Sequence, residues 1–397
     1  MKYFWLFDTR ASWKNNLPLT YFKSIANILS GILPVYRKWE TDLDAKALVL
    51  TRDYLMEKYG GEGMADLWVA ADVLPDAVLA KAVSELKPGE MLTDAEGDVV
   101  AYRHHSLLGT GEAKNLKAVF AGALIRKKAG GPVRRMRRPF QWIKENEQEI
   151  VNDLERLRPT RIPCPQDVRC YGHYELYGTG SPTAYDAVLD LTEGPVYLGN
   201  DVKLLPGSYV KGPAAVLDGS MVKAGTRVYN GTTLGPWTKV GGEIKNVLFQ
   251  GYANKGHDGF LGDSFISQWC NLGAGTSNSN LKNNYSRIRM WHIASKQFED
   301  TGEMFLGTVM GEHSKTAINT SLNTGTVVGV AANIFTRNFP PKFVTSFNWG
   351  GEIANHAYDV EKALETARIV FGRRGKTFDE TEERIFRTVH RLAGEWE

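Results

Sequence analysis

The stretch LGNDVKLLPGSYVKGPAAVLDGSMVKAGTRVYNGTTLGPWTKV, residues 198–240, decides the fold of the larger part of the chain. Stepping six residues at a time from Leu198 meets Leu204, Val210, Val216, Val222, Val228, Leu234 and Val240, an aliphatic side chain at every step. A second ladder of the same period holds Gly207, Gly219, Gly225 and Gly231, with Pro213 in its gap. An α-helix turns once in about 3.6 residues, so a six-residue period walks around it and builds no single face. A six-residue unit does suit one flat side of a triangular coil, with one aliphatic residue inward and a glycine where the corner needs backbone freedom. Three units make a coil, and stacked coils bury a continuous aliphatic column. The ladder resumes at Met310, Thr316, Leu322, Val328 and Ile334, with Leu306, Ile318 and Val330 at further multiples of six. The expectation is a left-handed parallel β-helix of hexapeptide repeats.

Working outward, 397 residues exceed one typical domain. A formal charge of +3 is too small to argue for nucleic acid. No apolar stretch approaches the roughly 20 residues of a membrane helix, and the run Tyr3 to Phe7 is too short for a signal peptide. Cys164, Cys170 and Cys270 form no paired framework and do not cluster with histidine, which predicts a reduced, cytoplasmic protein without a metal centre.

From Lys2 to about Pro132, short apolar runs (Tyr3 to Phe7, Ala47 to Leu50, Leu67 to Ala70) read as buried strands, and Pro75 to Val83 as a helix. This mixture predicts an α/β domain over residues 1–135. Residues 136–160 read as a linking helix with Trp142, Ile143, Ile150, Val151 and Leu154 in an apolar stripe, and 161–345 as the β-helix. Residues 346–397 hold two amphipathic helices, expected to cover the open end of the coil or to pack against a neighbour. The basic run Arg134-Arg135-Met136-Arg137-Arg138 reads as a solvated linker or as partners of acids such as Glu145 and Glu147 rather than as a nucleic-acid site.

Chemistry gathers between the two ladders, in Gly242-Glu243-Ile244-Lys245-Asn246, then Gly256-His257-Asp258-Gly259-Phe260-Leu261-Gly262-Asp263, then Asn271-Leu272-Gly273-Ala274-Gly275-Thr276. From Arg227 through Asn280 the chain resembles, without a gap, the acetyltransferase domain of the bifunctional N-acetylglucosamine-1-phosphate uridylyltransferase/glucosamine-1-phosphate N-acetyltransferase family. The resemblance implies that Arg227 and Lys245 hold a sugar phosphate, which suits a guanidinium and an ammonium; on residue type alone both are equally solvated surface cations. It implies that His257 is the general base, since an ammonium attacks a thioester only after losing a proton and histidine titrates in the right range. Asn271 and Asn280 match asparagines that contact the amino sugar and the acyl end, although asparagine also suits β-helix corners. The backbone of Gly273-Ala274-Gly275 is a candidate oxyanion support. In the last coils Ala317, Ile318 and Thr336 fall on the acyl-CoA tract.

Three departures stand out. The family tyrosine of the sugar site is Phe260, the acyl-CoA serine is Ile318, and an insertion over Asn283 to Met304, containing Trp291, His292 and Phe298, is expected to project as a loop or hairpin beside the site. In the N-terminal region, Leu6-Phe7-Asp8-Thr9-Arg10 and Asn16-Leu17-Pro18-Leu19-Thr20 resemble the opening of the sugar nucleotidyltransferases, with the loop glycines missing. Arg10 and Lys23 are then candidate nucleotide-phosphate ligands and Asp72 a candidate magnesium ligand, or else a loop or cap residue. The resemblance implies an acetyl-CoA-dependent N-acetyltransferase acting on an amino-sugar phosphate as a homotrimer, without nucleic-acid or membrane partners. The alternatives are a uridylyl- or thymidylyltransferase, using Mg2+ if the N-terminal domain is active, and a non-catalytic sugar-nucleotide-binding scaffold.

Overall fold

The computed structural model describes residues 2–180, 182–352 and 356–397. The chain forms two compact units, Met1–Asn16 with Phe22–Leu29 and Leu33–Arg137, and Leu17–Tyr21 with Ser30–Ile32 and Arg138–Glu397.

In the first unit, the strands Tyr3–Phe7, Lys46–Leu50 and Met64–Ala70 run parallel, with Tyr3–Phe7 in the middle. Their four consecutive buried residues Phe4, Trp5, Leu6 and Phe7 are what a strand covered on both faces needs. An antiparallel strand, Val99–Gly109, extends the sheet from Met64–Ala70. The helix Ala77–Ser84 starts where Asp76, the second residue of the segment read as helical, accepts a hydrogen bond from the Leu79 N–H.

The second unit carries the coil. Every residue of the first aliphatic ladder, Leu198 to Val240, is fully buried. Parallel strands stack in three ladders, one on each side of the coil. On the first side Tyr209, Arg227, Glu243 and Phe260 stand in register. On the second, Val216 faces Leu234, which faces Phe249. On the third, Lys203, Met221, Lys239, Asn254, Asn271, Lys315 and Asn333 form one outward row. Gly207 and Gly225 have φ of 73° and 68°, the left-handed corner conformation the sequence pattern asked for.

Several expectations are corrected. Ile318 is not a core rung: it is 71% exposed at a corner, whereas Leu306 and Val330 are buried. The helices Val360–Gly372 and Glu380–Trp396 do not cap the open end but lie along the corner between the second and third sides. There Phe371 stacks on Trp269 at 3.9 Å, and Phe386 meets Phe347 at 5.5 Å. Cys164 and Cys170 are joined in a disulfide, against the expectation of no pairing; the six-residue separation brings their Cα atoms to 6.1 Å across a turn. The basic run is partnered: Arg135 and Arg137 meet acids of the first unit, and Arg138 meets Glu299 at 2.7 Å. No helix among the described residues is long and apolar enough to cross a membrane.

Candidate functional site

Corners between the third and first sides make one column of residues: Ala224, Gly242, His257, Ala274, Ile318 and Thr336. Each follows by three the outward residue of its strand in the register above. Small neighbours surround the imidazole, so His257 stands in a groove of about 600 Å³ lined also by Lys223, Gly241, Gly256, Asp258 and Gly275. The ring makes no hydrogen bond with any described residue. Its lone pair is therefore open to a ligand proton.

The loop carrying His257 is held from both sides. Lys223 Nζ donates to the Gly256 carbonyl at 2.7 Å from one, while Lys255 Nζ donates to the His257 and Asp258 carbonyls at 2.6 and 2.9 Å from the other. Lys255 is fully buried and stands opposite Val240, on an inward rung of the aliphatic column. Burial pushes its ammonium down to about 8. Sequence reasoning missed this residue, although a lysine on an inward rung two places before the histidine was a legible signal.

Ladder spacing explains why the hexad pattern falls silent here. Partners are eighteen residues apart from Met221 to Lys239, but fifteen from Lys239 to Asn254 and seventeen from Asn254 to Asn271. The coils are shortened where His257 sits.

The other predicted residues are distributed around this corner. Arg227 and Phe260 share the outward row of the first side, with Glu243 between them in an ion pair with Arg227 at 3.0 Å. Lys245 is two residues beyond Glu243 on the same face and is exposed. Asn271 lies before the corner, on the third side, accepting a long hydrogen bond of 3.4 Å from Asn254. Asn280 donates to Asp263 at 2.6 Å, and Asp263 also accepts from Asn246 at 2.7 Å; this polar stack runs along the opposite corner of the first side. Ala317 and Ile318 adjoin the His257 corner; Thr336, one coil further, donates to Glu352 at 3.3 Å. The expected oxyanion support narrows to one amide. The Gly273 and Gly275 N–H groups donate to Thr316 and Asp258, leaving Ala274 N–H without a partner among the described residues. The insertion is a hairpin, Arg289–His292 against Gln297–Asp300, fastened by Trp291 stacked on Phe343 and by Glu299 bonded to His292 and Arg138.

A second candidate lies in the N-terminal unit. A cavity of about 250 Å³ opens beyond the ends of the parallel strands, lined by Thr9, Ser12, Asp72, Asp98, Arg135 and Arg137 among others. The place of a glycine loop is taken by the helix Arg10–Asn15, capped reciprocally by Thr9 and Ser12. Arg10 is exposed on its first turn and Lys23 is buried; neither lines the cavity. Asp72 is bound to Arg135 at 2.6 Å, and Arg135 also holds Asp94 at 2.8 Å. Desolvation raises the Asp72 carboxyl in spite of Arg135. Burial pushes Asp8, which accepts from Thr51 at 2.6 Å, up to about 7. One carboxylate tied to an arginine and another inclined to keep its proton do not fit a magnesium site, and no group of three metal-type ligands occurs among the described residues.

Residues 4–162 match the family model of the sugar nucleotidyl transferases. The chain is 28% identical over 145 residues to the bifunctional sugar-1-phosphate nucleotidylyltransferase/acetyltransferase of Sulfurisphaera tokodaii, covering 36% of each protein. It is 32% identical over 87 residues, 22% of this chain and 21% of the relative, to the bifunctional protein GlmU of Methanocaldococcus jannaschii. In part, the chain is similar to each of these bifunctional proteins. A domain of the sugar nucleotidyl transferase type precedes a parallel β-helix, while the alignments span about a third or less of these relatives' length. The polySia specific acetyltransferase NeuO aligns with 50% of this chain and 96% of its own at 12% identity and a TM-score of 0.26, too low to bear on the fold.

Proposed function

We propose that the β-helix is an acetyl-CoA-dependent N-acetyltransferase acting on an amino-sugar phosphate of the glucosamine-1-phosphate type. The observation that carries this reading is the unbonded imidazole of His257 in a groove of small corner residues. His257 takes the proton of the attacking ammonium; the free amine attacks the thioester carbonyl carbon, and a C–N bond forms as a tetrahedral oxyanion. Ala274 N–H, without a partner among the described residues, donates to that oxygen. Collapse breaks the C–S bond, the nitrogen gives up its second proton to leave the neutral amide, and the departing thiolate takes up that proton. Arg227 and Lys245 receive the sugar phosphate on the first side, with Phe260 beside them in place of a hydroxyl-bearing residue and Asn280 at its far corner. Asn271 reaches the site from before the corner, and Ala317, Ile318 and Thr336 line the run of the acyl donor. Ile318 is 71% and Phe335 is 47% exposed on this same corner, apolar surface that supports a homotrimer with the donor lying between subunits.

Thiol release from acetyl-CoA across a panel of amino-sugar phosphates tests the reading. His257→Ala is expected to lower turnover by about 10² to 10⁴; wild-type release no faster than that of the variant sinks it. A second reading rests on the match of residues 4–162: a sugar-1-phosphate nucleotidyltransferase, acting alone or beside the acetyltransferase. Pyrophosphate release from UTP or dTTP that disappears in Asp72→Asn supports it. Ligand-induced melting shifts with turnover in neither assay favour a binding scaffold.

A further inference from the structure

The third side of the coil carries a concentration of cations that the acyl-transfer reading does not use. Lys203, Lys239 and Lys315 stand in its outward row, and Arg373 and Arg374, just past the helix Val360–Gly372, face the same row. Two adjoining cavities, of about 400 and 490 Å³, share Lys239, Arg373 and Arg374 in their walls. The first contains no carboxylate among its lining residues, and the second only Asp201. Among the described residues Lys203, Lys239 and Arg373 make no ion pair, and Arg374 donates only to the neutral Asn254, at 2.8 Å.

Assembling five cations beside a single lining carboxylate, Asp201, is unfavourable. After burial, the groups that depress the Lys239 ammonium are Arg374, Lys203, Arg373 and Lys223, all positive. The C-terminus of the adjoining helix contributes only about half a negative charge, too little to neutralise five cations. A bound polyanion removes the repulsion.

Shape narrows the ligand. Neighbouring coils lie about 4.8 Å apart, so Lys203 and Lys239, two coils apart, span about 10 Å, the reach of a nucleotide rather than of a single phosphate. At one end Trp237 lies over Gly219, where a Cβ would come within 2.6 Å of the indole, yet it remains 46% exposed. An exposed indole beside paired cations offers a stacking surface for a base. We propose that this groove binds a nucleoside diphosphate moiety, its diphosphate on Lys239, Arg373 and Arg374 and its base against Trp237. The moiety belongs to a nucleotide coenzyme or to a sugar nucleotide; the diphosphate chemistry is the same. The proposal does not rest on the acyl-transfer reading.

Calorimetric titration of the full chain with ADP, UDP and inorganic pyrophosphate tests it. Lys239→Gln/Arg374→Gln, and separately the exposed Arg373→Gln, are expected to weaken ADP and UDP by at least about tenfold. Trp237→Ala is expected to weaken both nucleotides and leave pyrophosphate unchanged, and Arg10→Gln in the other unit to change nothing. A preference for ADP supports the coenzyme source, and one for UDP the sugar nucleotide. Absence of binding, or binding lost in Arg10→Gln and kept in the groove variants, overturns the proposal.

Discussion

Asp72 and His257 occupy comparable places, each just past the end of a buried strand and each lining a cavity. Their surroundings are opposite. The carboxylate is closed by its own chain, tied to a buried arginine that also holds Asp94. The imidazole is left unbonded while the backbone beneath it is fastened by two lysines. Charge satisfied internally stabilises a fold and opposes ligand binding; a fixed backbone with an unsatisfied side chain does the reverse.

The contrast is most easily broken at Arg135. Arg135→Ala leaves Asp72 buried without its ion-pair partner, while Arg137 still holds Asp94, and is expected to cost about 3–5 kcal/mol, read by urea denaturation. A loss below about 1 kcal/mol, with magnesium binding gained, would show that the closed state is a weak latch and not the resting architecture.

Next in size is the pH response of the N-terminal unit. Asp8 keeps its proton up to about 7 when folded, against 3.8 for an ordinary aspartate, so the native state binds more protons within that window. Stability therefore falls as pH rises from about 4 to about 7, by at most about 4 kcal/mol. Asp8→Asn is expected to remove this part of the decline, leaving those of Asp72 and Glu397, which burial also raises, Glu397 to about 7. Denaturation midpoints at pH 4.5 and 7.5, compared between variant and wild type, decide it; identical slopes count against a buried protonated Asp8.

The smallest expected effect sharpens the other half of the comparison. Lys255→Met keeps length and apolar fill while deleting the bonds to the His257 and Asp258 carbonyls. Turnover is expected to fall by about ten- to a hundredfold with the KM for the sugar phosphate little changed, because the base moves and the phosphate ligands do not. Lys255 is depressed to about 8 from 10.5, so the unfolded chain binds the extra proton and wild-type stability rises with pH between those values. The variant should lose that rise. Unchanged turnover would reduce Lys255 to a packing residue.

Legibility followed periodicity. The coil was readable because each rung of residues 198–240 repeats one local requirement, an inward aliphatic residue, at fixed spacing. The strands Tyr3–Phe7, Lys46–Leu50 and Met64–Ala70 were readable as apolar runs, and the terminal helices by their apolar faces. The misplacement of Ile318 shows the limit: it stands two residues past the inward rung Thr316, at a corner, so a multiple of six counted from a residue off the inward row does not mean inward. The Arg135 clamp and the pairing of Arg138 with Glu299 depend on how distant segments meet, and the Cys164–Cys170 link on one local turn; no spacing rule reports either.

By itself the sequence determined the repeat, the sidedness of the coil and the residue types at one corner, because a period of six forces side chains into rows whatever else the chain does. Tertiary structure alone decided which polar groups were left over. It closed Asp72 with an arginine 63 residues away and put Lys255 under the His257 loop. It also laid Arg373 and Arg374 against a row of lysines, since hydrogen bonds and charges are satisfied by proximity in space, which order along the chain does not specify.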